Sequence, residues 1–281
     1  MDFNVIEAIK ERRSVRTFEE KPLTAELKQQ ISDYIATLSN PFGDDTVRIP
    51  ITDRRLADSG EKLGTYGVVK DASAFIGLLC GRSETSIVAA GYEFEQLILY
   101  ITSLGLGTVW LGATFSRKKF SAAFKIKKTE QLLAITPVGY PAKKRLVERL
   151  LRTVARSDTR LPWNELFFNE NFSTQLTADV AGDHAEALEM VRLAPSATNT
   201  QPWRIVKNGD RYHFYIAFKE KPSDDEYIFR LIDMGIALCH FDLSLKSANI
   251  EGQFTHVDPN IPDCPIAYRY VATWSPTESP E

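Results

Sequence analysis

Two long apolar stretches of this chain share one pattern, and this repeat constrains the fold more than any other feature. The segments "AGYEFEQLILYITSLG" and "MGIALCHFDLSLKSAN" align at a constant offset of 144 residues (235 − 91), which pairs Gly91 with Gly235 and Leu99 with Leu243. Apolar residues recur at helical spacing in both, which predicts buried helices over 89–104 and 232–248. A helix repeated with its glycine in register is typical of internal duplication.

The predicted elements around these helices also follow one order in both halves. The first half has predicted helices over 4–13 and after Thr24, strands in "ASAFIGLLC" and "LLAITPVGYP", and a basic helix in "AKKRLVERLLR". The second half has a predicted helix over 185–192 and strands after Pro202, in "YHFYIAF" and in "AYRYVATW". The alternative is that two unrelated helix–strand units look alike at this level. A tightly packed duplicate would be a fused dimer, two subunits on one chain.

Composition excludes several functional classes. The 281 residues are 43% hydrophobic with a formal net charge of −3, which is ordinary for a globular protein and favours neither nucleic-acid nor membrane-surface binding. No apolar run reaches transmembrane length, and the first residues lack a signal-peptide pattern. Three cysteines and four histidines show neither disulfide nor metal-ligand spacing, so no metal is expected and the cytoplasm is the simplest compartment.

The segment "RRSVRTF" is a candidate anion site. It places Arg12, Arg13, Ser14 and Arg16 within five residues, directly after a predicted helix. Guanidinium groups and a hydroxyl at this spacing can converge on one phosphate through charge-assisted hydrogen bonds. The alternative is a solvated basic turn, which is common.

Three further segments are rich in small residues. "EKLGTYGVVK" and "TVWLGATFS" allow close approach of the backbone to a ligand, although a turn and simple close packing explain them equally well. "APSATNTQPW" joins a predicted helix to a predicted strand and is longer than a surface turn requires. No nucleophile elbow or Cys/His pair is present, and we therefore name no catalytic side chain.

Taken together, these segments resemble the nitroreductase family of FMN-dependent oxidoreductases. The resemblance rests on "RRSVRTF", "APSATNTQPW", "GLGTVWLG" with its preceding helix, and "LLAITPVGYP", and it spans nearly the whole chain. It implies an α+β, nitroreductase-like fold in which helices flank a central, mostly antiparallel sheet. With the internal repeat, it implies a duplication arranged as a pseudo-dimer.

The resemblance also implies a set of FMN-binding residues. Arg12, Ser14 and Arg16 would hold the phosphate, and Arg160 of "TRLP" would reach it as well, although Asp158 stands where a lysine is often found. Arg13 would lie against the isoalloxazine edge or the ribityl chain. The remaining implied contacts are Thr65, Tyr66 and Gly67 near the pyrimidine end of the ring, Leu111, Gly112 and Ala113 beside N5, and Pro195, Ser196 and Asn199 on the ribityl and dimethylbenzene side, buttressed by Gln201 and Trp203.

One departure from the family pattern bears on assembly. Family members are intertwined homodimers, and their Ser-Asn-Gln-Pro-Trp segment follows the Arg-Ser-Arg segment closely within one subunit. Here the two motifs begin at 12 and 194, a gap of 182 residues (194 − 12), and only "ATLSNPFGDD" stands at the expected place. We therefore expect two tightly packed nitroreductase-like halves, 1–155 and 156–281, one FMN site between them, and a monomer.

The function implied by the resemblance is ping-pong hydride transfer. NADH or NADPH would reduce FMN at N5, and a small-molecule electron acceptor such as a nitroaromatic or a quinone would reoxidise it. The alternatives are an FMN-binding protein without this turnover, such as a sensor, a carrier or another flavin chemistry, and a flavin-free scaffold. Neither nucleic acid nor membrane is expected as a partner.

Overall fold

The computed structural model describes residues 3–44, 46–54, 63–142, 159–218 and 221–277. The helices in these ranges are α1 Val5–Glu11, α2 Ala25–Thr37, α3 Glu84–Ser103, α4 Arg117–Ala123, α5 Trp163–Leu166, α6 Ala178–Ala181, α7 Ala185–Leu193 and α8 Asp224–Ser247. The strands are β1 Ile51–Asp53, β2 Ala74–Cys80, β3 Gln131–Val138, β4 Phe167–Asn169, β5 Trp203–Asn208, β6 Arg211–Ala217, β7 Gly252–Thr255 and β8 Tyr268–Pro276. Apart from Ala142, the predicted basic helix "AKKRLVERLLR" and the predicted boundary at 155/156 lie outside the described residues.

The strands form two sheets, one in each half of the chain. The first has the order β1–β2–β3 and is antiparallel, and all seven residues of β2 are buried. The second has the order β4–β5–β6–β8–β7 and is antiparallel except for the short β4–β5 pair. The predicted α+β class and the mostly antiparallel pairing are therefore confirmed, with the strands shared between two sheets rather than joined in one.

The two repeated helices cross each other at their glycines. A Cβ atom added to Gly91 would lie 2.5 Å from the carbonyl oxygen of Ile232, and one added to Gly235 would collide with the carbonyl oxygen of Val88. These contacts are reciprocal, because Ile232 and Val88 differ by the same 144 positions (232 − 88) as the two glycines. Reciprocal contacts of this kind are what a twofold axis produces, so the crossing is consistent with the predicted duplication.

Both long helices begin earlier than the apolar periodicity predicts. α3 begins at Glu84, where the Ser83 side chain accepts a hydrogen bond from the Ser86 amide, and α8 begins at Asp224, where Ser223 accepts from the Glu226 amide. The first turns of both helices are polar, so a helix start read from the apolar residues alone falls several residues after the true start. The predicted cap at Thr24 is confirmed, since its side chain accepts from the Leu27 amide. None of the helices in the described ranges is long and apolar enough to cross a membrane.

Candidate active site

A cavity of about 760 Å³ opens where segments from both halves of the chain meet. Its lining comprises Arg12, Ser14, Arg16, Val68, residues 110–114, Ala134, Arg160, residues 195–199, Ser223 and seven residues of α8 between Asp225 and Ile236. The structure thus brings together most of the predicted site, namely Arg12, Ser14, Arg16, Leu111, Gly112, Ala113, Arg160, Pro195, Ser196 and Asn199. These residues are distant in sequence, so only the folded chain forms the site.

An extended segment after α1 supplies one end of the cavity. Val15 N donates a hydrogen bond to Thr108 O at 2.8 Å, and successive side chains of an extended segment point to opposite sides. Arg12, Ser14 and Arg16 therefore face the cavity, whereas Val15 packs in the core. By the same alternation Arg13 points away: it is exposed and does not line the cavity with the other predicted residues of this segment.

The structure places Thr65, Tyr66 and Gly67, which were also predicted as cofactor contacts, outside this cavity. These residues line a separate pocket of about 270 Å³, together with Arg54 and Phe75 among others. Val68 N donates to Thr65 O at 2.9 Å and closes a turn in which Tyr66 and Gly67 have φ of 49° and 79°. This turn leaves the Tyr66 side chain exposed to solvent, and of residues 63–70, the described part of this loop, only Val68 lines the main cavity.

The 110–114 segment presents backbone to the cavity. The Gly112 carbonyl oxygen accepts a hydrogen bond from Arg117 Nη2 at 2.9 Å, while Arg117 Nη1 donates to Leu132 O of β3 at 2.6 Å. Arg117 does not line the cavity, and a trans peptide directs its C=O and N–H groups to opposite sides. The Ala113 N–H of the same peptide therefore points away from Arg117. A Cβ added to Gly112 would lie 2.6 Å from Cε1 of Phe229 on α8, so the Phe229 ring packs closely on this backbone.

The loop between α7 and β5 forms the opposite wall. The Ser196 hydroxyl oxygen accepts from Gln201 N at 2.9 Å, and Gln201 Oε1 accepts from Leu161 N at 2.8 Å. Gln201 and Trp203 are buried, as expected of residues that support the loop rather than contact a ligand. Arg160 Nη1 donates to Asn199 Oδ1 at 3.3 Å, which joins two predicted site residues that are 39 positions apart.

A buried network behind the cavity was not predicted. Glu95 on α3 is fully buried, and its carboxylate accepts a hydrogen bond from Trp110 Nε1 at 2.8 Å. The same carboxylate lies 3.0 Å from His240 Nε2 and 3.9 Å from Arg12 Nε. His240 Nδ1 is 2.8 Å from Met190 O, and because a carbonyl only accepts, Nδ1 carries a proton. Glu95 thus links the two halves and supports Trp110 and Arg12, which both line the cavity.

Arg230 and Asp233 of α8 are a second pair that was not predicted. Asp233 Oδ1 accepts from Ala197 N at 2.8 Å, and Asp233 Oδ2 accepts from Arg230 Nη1 at 3.1 Å. Arg230 also donates to Thr200 Oγ1 at 2.6 Å. Burial raises the pKa of Asp233 to about 7. The hydrogen bond from Ala197 N–H and the charge of Arg230 lower this pKa, but their effect is smaller than that of burial.

The lining chemistry suits a flat ligand with an anionic end. The lining includes four arginines, Arg12, Arg16, Arg160 and Arg230, and apolar or aromatic groups such as Trp110 and Phe229. A few charged groups in a mostly apolar cleft are typical of cofactor sites. In the described part of the chain, His, Cys, Asp and Glu side chains form no group suited to a metal ion.

Comparisons with known proteins agree with this architecture. The family model described as "Putative TM nitroreductase" matches residues 4–245. A "Putative NADH dehydrogenase/NAD(P)H nitroreductase" of Methanothermobacter thermautotrophicus is 29% identical over 152 residues, which are 50% of this chain and 78% of that protein. The solved structure of a putative nitroreductase from Thermotoga maritima MSB8 is 20% identical with a TM-score of 0.62, and the match covers 98% of this chain and 93% of that chain.

A further solved structure, a putative nitroreductase in complex with FMN from Desulfovibrio desulfuricans, is 20% identical with a TM-score of 0.41, and the match covers 54% of this chain and 97% of that chain. The family match covers most of the chain, and the similarity to the Thermotoga protein extends over nearly its full length. The nitroreductase-like fold expected from the sequence is thereby confirmed, and the chain belongs to the family described as Putative TM nitroreductase.

Proposed function

We propose that this protein is an FMN-dependent oxidoreductase that transfers hydride from NADH or NADPH to a small-molecule acceptor such as a nitroaromatic or a quinone. The observation that carries the proposal is the cavity itself, which is lined by four arginines, a glycine-containing backbone segment and the aromatic side chains of Trp110 and Phe229. Its volume of about 760 Å³ falls within the usual range of cofactor sites. Membership of a nitroreductase family supports a redox reaction over other uses of such a cavity.

The residues present fit the chemical groups of FMN. Arg12, Ser14 and Arg16 share one face of an extended segment and would hold the phosphate through charge-assisted hydrogen bonds. The 195–199 loop would contact the opposite side of the cofactor. The 110–114 segment would present its backbone to the flat ring of the cofactor, and the Phe229 ring packs directly on Gly112 beside this part of the cavity. When bound, FMN supplies the hydride chemistry, and the protein supplies position and electrostatics.

Backbone dipoles and charge would favour the reduced cofactor. The Ala113 N–H points away from Arg117, which holds the Gly112 carbonyl on the other side, and would face the cofactor. A fixed donor directed at a site of developing negative charge stabilises that charge without reorganisation. The Arg117 bond to Gly112 also polarises this peptide, which makes its N–H a stronger donor.

The decisive experiment is to identify and use the bound cofactor. Heat-released flavin should be FMN, and light scattering should find it on a monomer, since one chain supplies every residue of the cavity. Reduction of the bound flavin by NADH or NADPH, followed by reoxidation with a quinone or a nitroaromatic, would support the reaction. Flavin that is reduced but that no acceptor reoxidises would contradict it and favour a carrier or sensor, and flavin held only by a dimer would contradict the single-chain site.

Arg16→Ala is expected to weaken FMN binding. Loss of one charge-assisted hydrogen bond costs roughly 1.5–3 kcal/mol, which is about a 10- to 150-fold increase in Kd. The measurement is a titration of the apoprotein that follows quenching of FMN fluorescence. Arg13→Ala is the matched control, because Arg13 lies in the same segment but outside the cavity. Equal affinity of Arg16→Ala and the unmodified protein would place the phosphate elsewhere.

A further inference from the structure

The loop between α7 and β5 is held in an unusual backbone conformation. Thr198, Asn199 and Gln201 have φ of 52°, 58° and 49°, which is the left-handed region that non-glycine residues seldom adopt. Such a conformation persists only where the surrounding structure over-determines it, and it is common at ligand-binding sites. Ser196 and Asn199, which line the cavity, belong to this loop.

Two buried side chains of α8, which line the same cavity, hold this loop through hydrogen bonds. Asp233 accepts from Ala197 N at 2.8 Å, and Arg230 donates to Thr200 Oγ1 at 2.6 Å. The two side chains also bind each other at 3.1 Å, so the loop, the guanidinium and the carboxylate form one closed unit. Arg230 is 8% exposed and Asp233 is 3% exposed, which strengthens these bonds relative to bonds in water.

We propose that Arg230 and Asp233 are positioning residues that fix the 195–201 loop in its ligand-binding conformation and thereby set the affinity for the cofactor. This inference rests on the proposed function, because it takes FMN as the ligand. Neither residue needs to touch the cofactor for this role. Their effect is transmitted through Ala197 and Thr200, which flank the left-handed residues Thr198 and Asn199.

The arrangement gives FMN affinity a characteristic pH dependence. Arg230 is the charged group bonded to Asp233. The other charged groups that line the same cavity are Asp225 and Glu226 on α8 and Arg12, Arg16 and Arg160 on other segments. Because burial raises the pKa of Asp233 to about 7, its carboxylate is ionised above this pH and protonated below it. Protonation removes the charge that strengthens the bonds from Ala197 N–H and Arg230. FMN affinity is therefore expected to fall as the pH drops through about 7.

Asp233→Asn tests this role with little change in shape. Asparagine keeps an oxygen that can accept from Ala197 N but cannot ionise. As the pH is lowered from 8.5 to 6, the Kd for FMN is expected to rise about five- to tenfold more in the unmodified protein than in Asp233→Asn. This factor corresponds to the difference in strength between a charged and a neutral hydrogen bond. The FMN phosphate also titrates near pH 6, but it does so in both proteins and cancels in the comparison.

Asp224→Asn is the matched control, because Asp224 lies on the same helix but is exposed and outside the cavity lining. Its pH profile should follow that of the unmodified protein. Hydrogen exchange without flavin gives a second readout, in which the peptide containing residues 195–201 should exchange faster in Asp233→Asn at pH 8. Identical pH profiles and identical hydrogen exchange in the unmodified protein and in Asp233→Asn would overturn the positioning role. Failure of the unmodified protein to bind FMN would instead overturn the proposed function, and the exchange result would still stand.

Discussion

Gly235→Val is expected to lower the free energy of unfolding by about 3 kcal/mol or more. The added Cβ would collide with Val88 O and would lie 2.8 Å from Tyr92 N and 2.9 Å from the Cα atom of Gly91. All three are backbone atoms, so no side chain can rotate away and α3 and α8 must move apart. Overpacking of a core by a few carbon atoms typically costs 1–3 kcal/mol, and here the two longest helices of the described chain lose their fit.

Chemical denaturation, followed by tryptophan fluorescence, measures this effect. Gly64→Val is the matched control, since a Cβ atom at Gly64 has nothing within 4 Å and its backbone needs no left-handed φ. The control is expected to change the stability by less than about 1 kcal/mol. Similar losses in the two variants would mean that the close crossing of α3 and α8 contributes little to stability.

Glu95→Ala is the second change with a large expected effect. Truncation leaves His240, Trp110 and Arg12 without the buried carboxylate that faces them at 3.0, 2.8 and 3.9 Å. Removal of one partner from a buried ionic group typically costs about 3–5 kcal/mol. We expect a loss of this size, together with weaker FMN binding, because Arg12 and Trp110 line the cavity.

Glu84→Ala is the control on the same helix. Glu84 bonds Arg269 at 2.7 Å and Tyr227 at 2.9 Å, but about half of its side chain is exposed. Exposed ion pairs contribute about 0–1 kcal/mol, so the unfolding midpoint should change little. Equal losses of stability in Glu95→Ala and Glu84→Ala would show that the burial of the Glu95 network does not stabilise the contact between the halves.

The sequence contains enough information for the main elements and for ten of the 24 residues that line the cavity. Helical periodicity located α3 and α8, and motif order located the arginine segment and the 195–199 loop. Arg230 was missed because the predicted helix began at 232, after the first turns of α8. Asp233 lies inside the predicted helix, but periodicity does not show that this carboxylate is buried against the 195–201 loop. Ser223 followed by Asp224, Asp225 and Glu226 is in fact a strong start signal, since acidic residues favour a helix N-terminus.

The other misses concern side-chain direction and burial. A family motif identifies a segment but not which of its residues face a ligand, and alternation in an extended chain separates Arg13 from Arg12 and Ser14. A turn with left-handed residues, which the sequence does not make evident, determines where the side chains of Thr65 and Tyr66 and the backbone of Gly67 lie relative to the cavity. Glu95 interrupts an apolar helical stripe, and a charged residue in that position is a signal that a buried partner exists.

The crossing of Gly91 and Gly235 has a consequence for synthesis of the chain. The two glycines are 144 residues apart (235 − 91), so α3 leaves the ribosome long before the helix against which it packs. At about 5–20 residues per second, this delay lasts roughly 7–30 s. During that time the face of α3 that packs against α8 has no partner from its own chain, although α1, α2 and β2 have already been synthesised. The nascent first half is therefore the state in which we expect chaperone binding, or exchange of helices between two chains, to compete with correct folding.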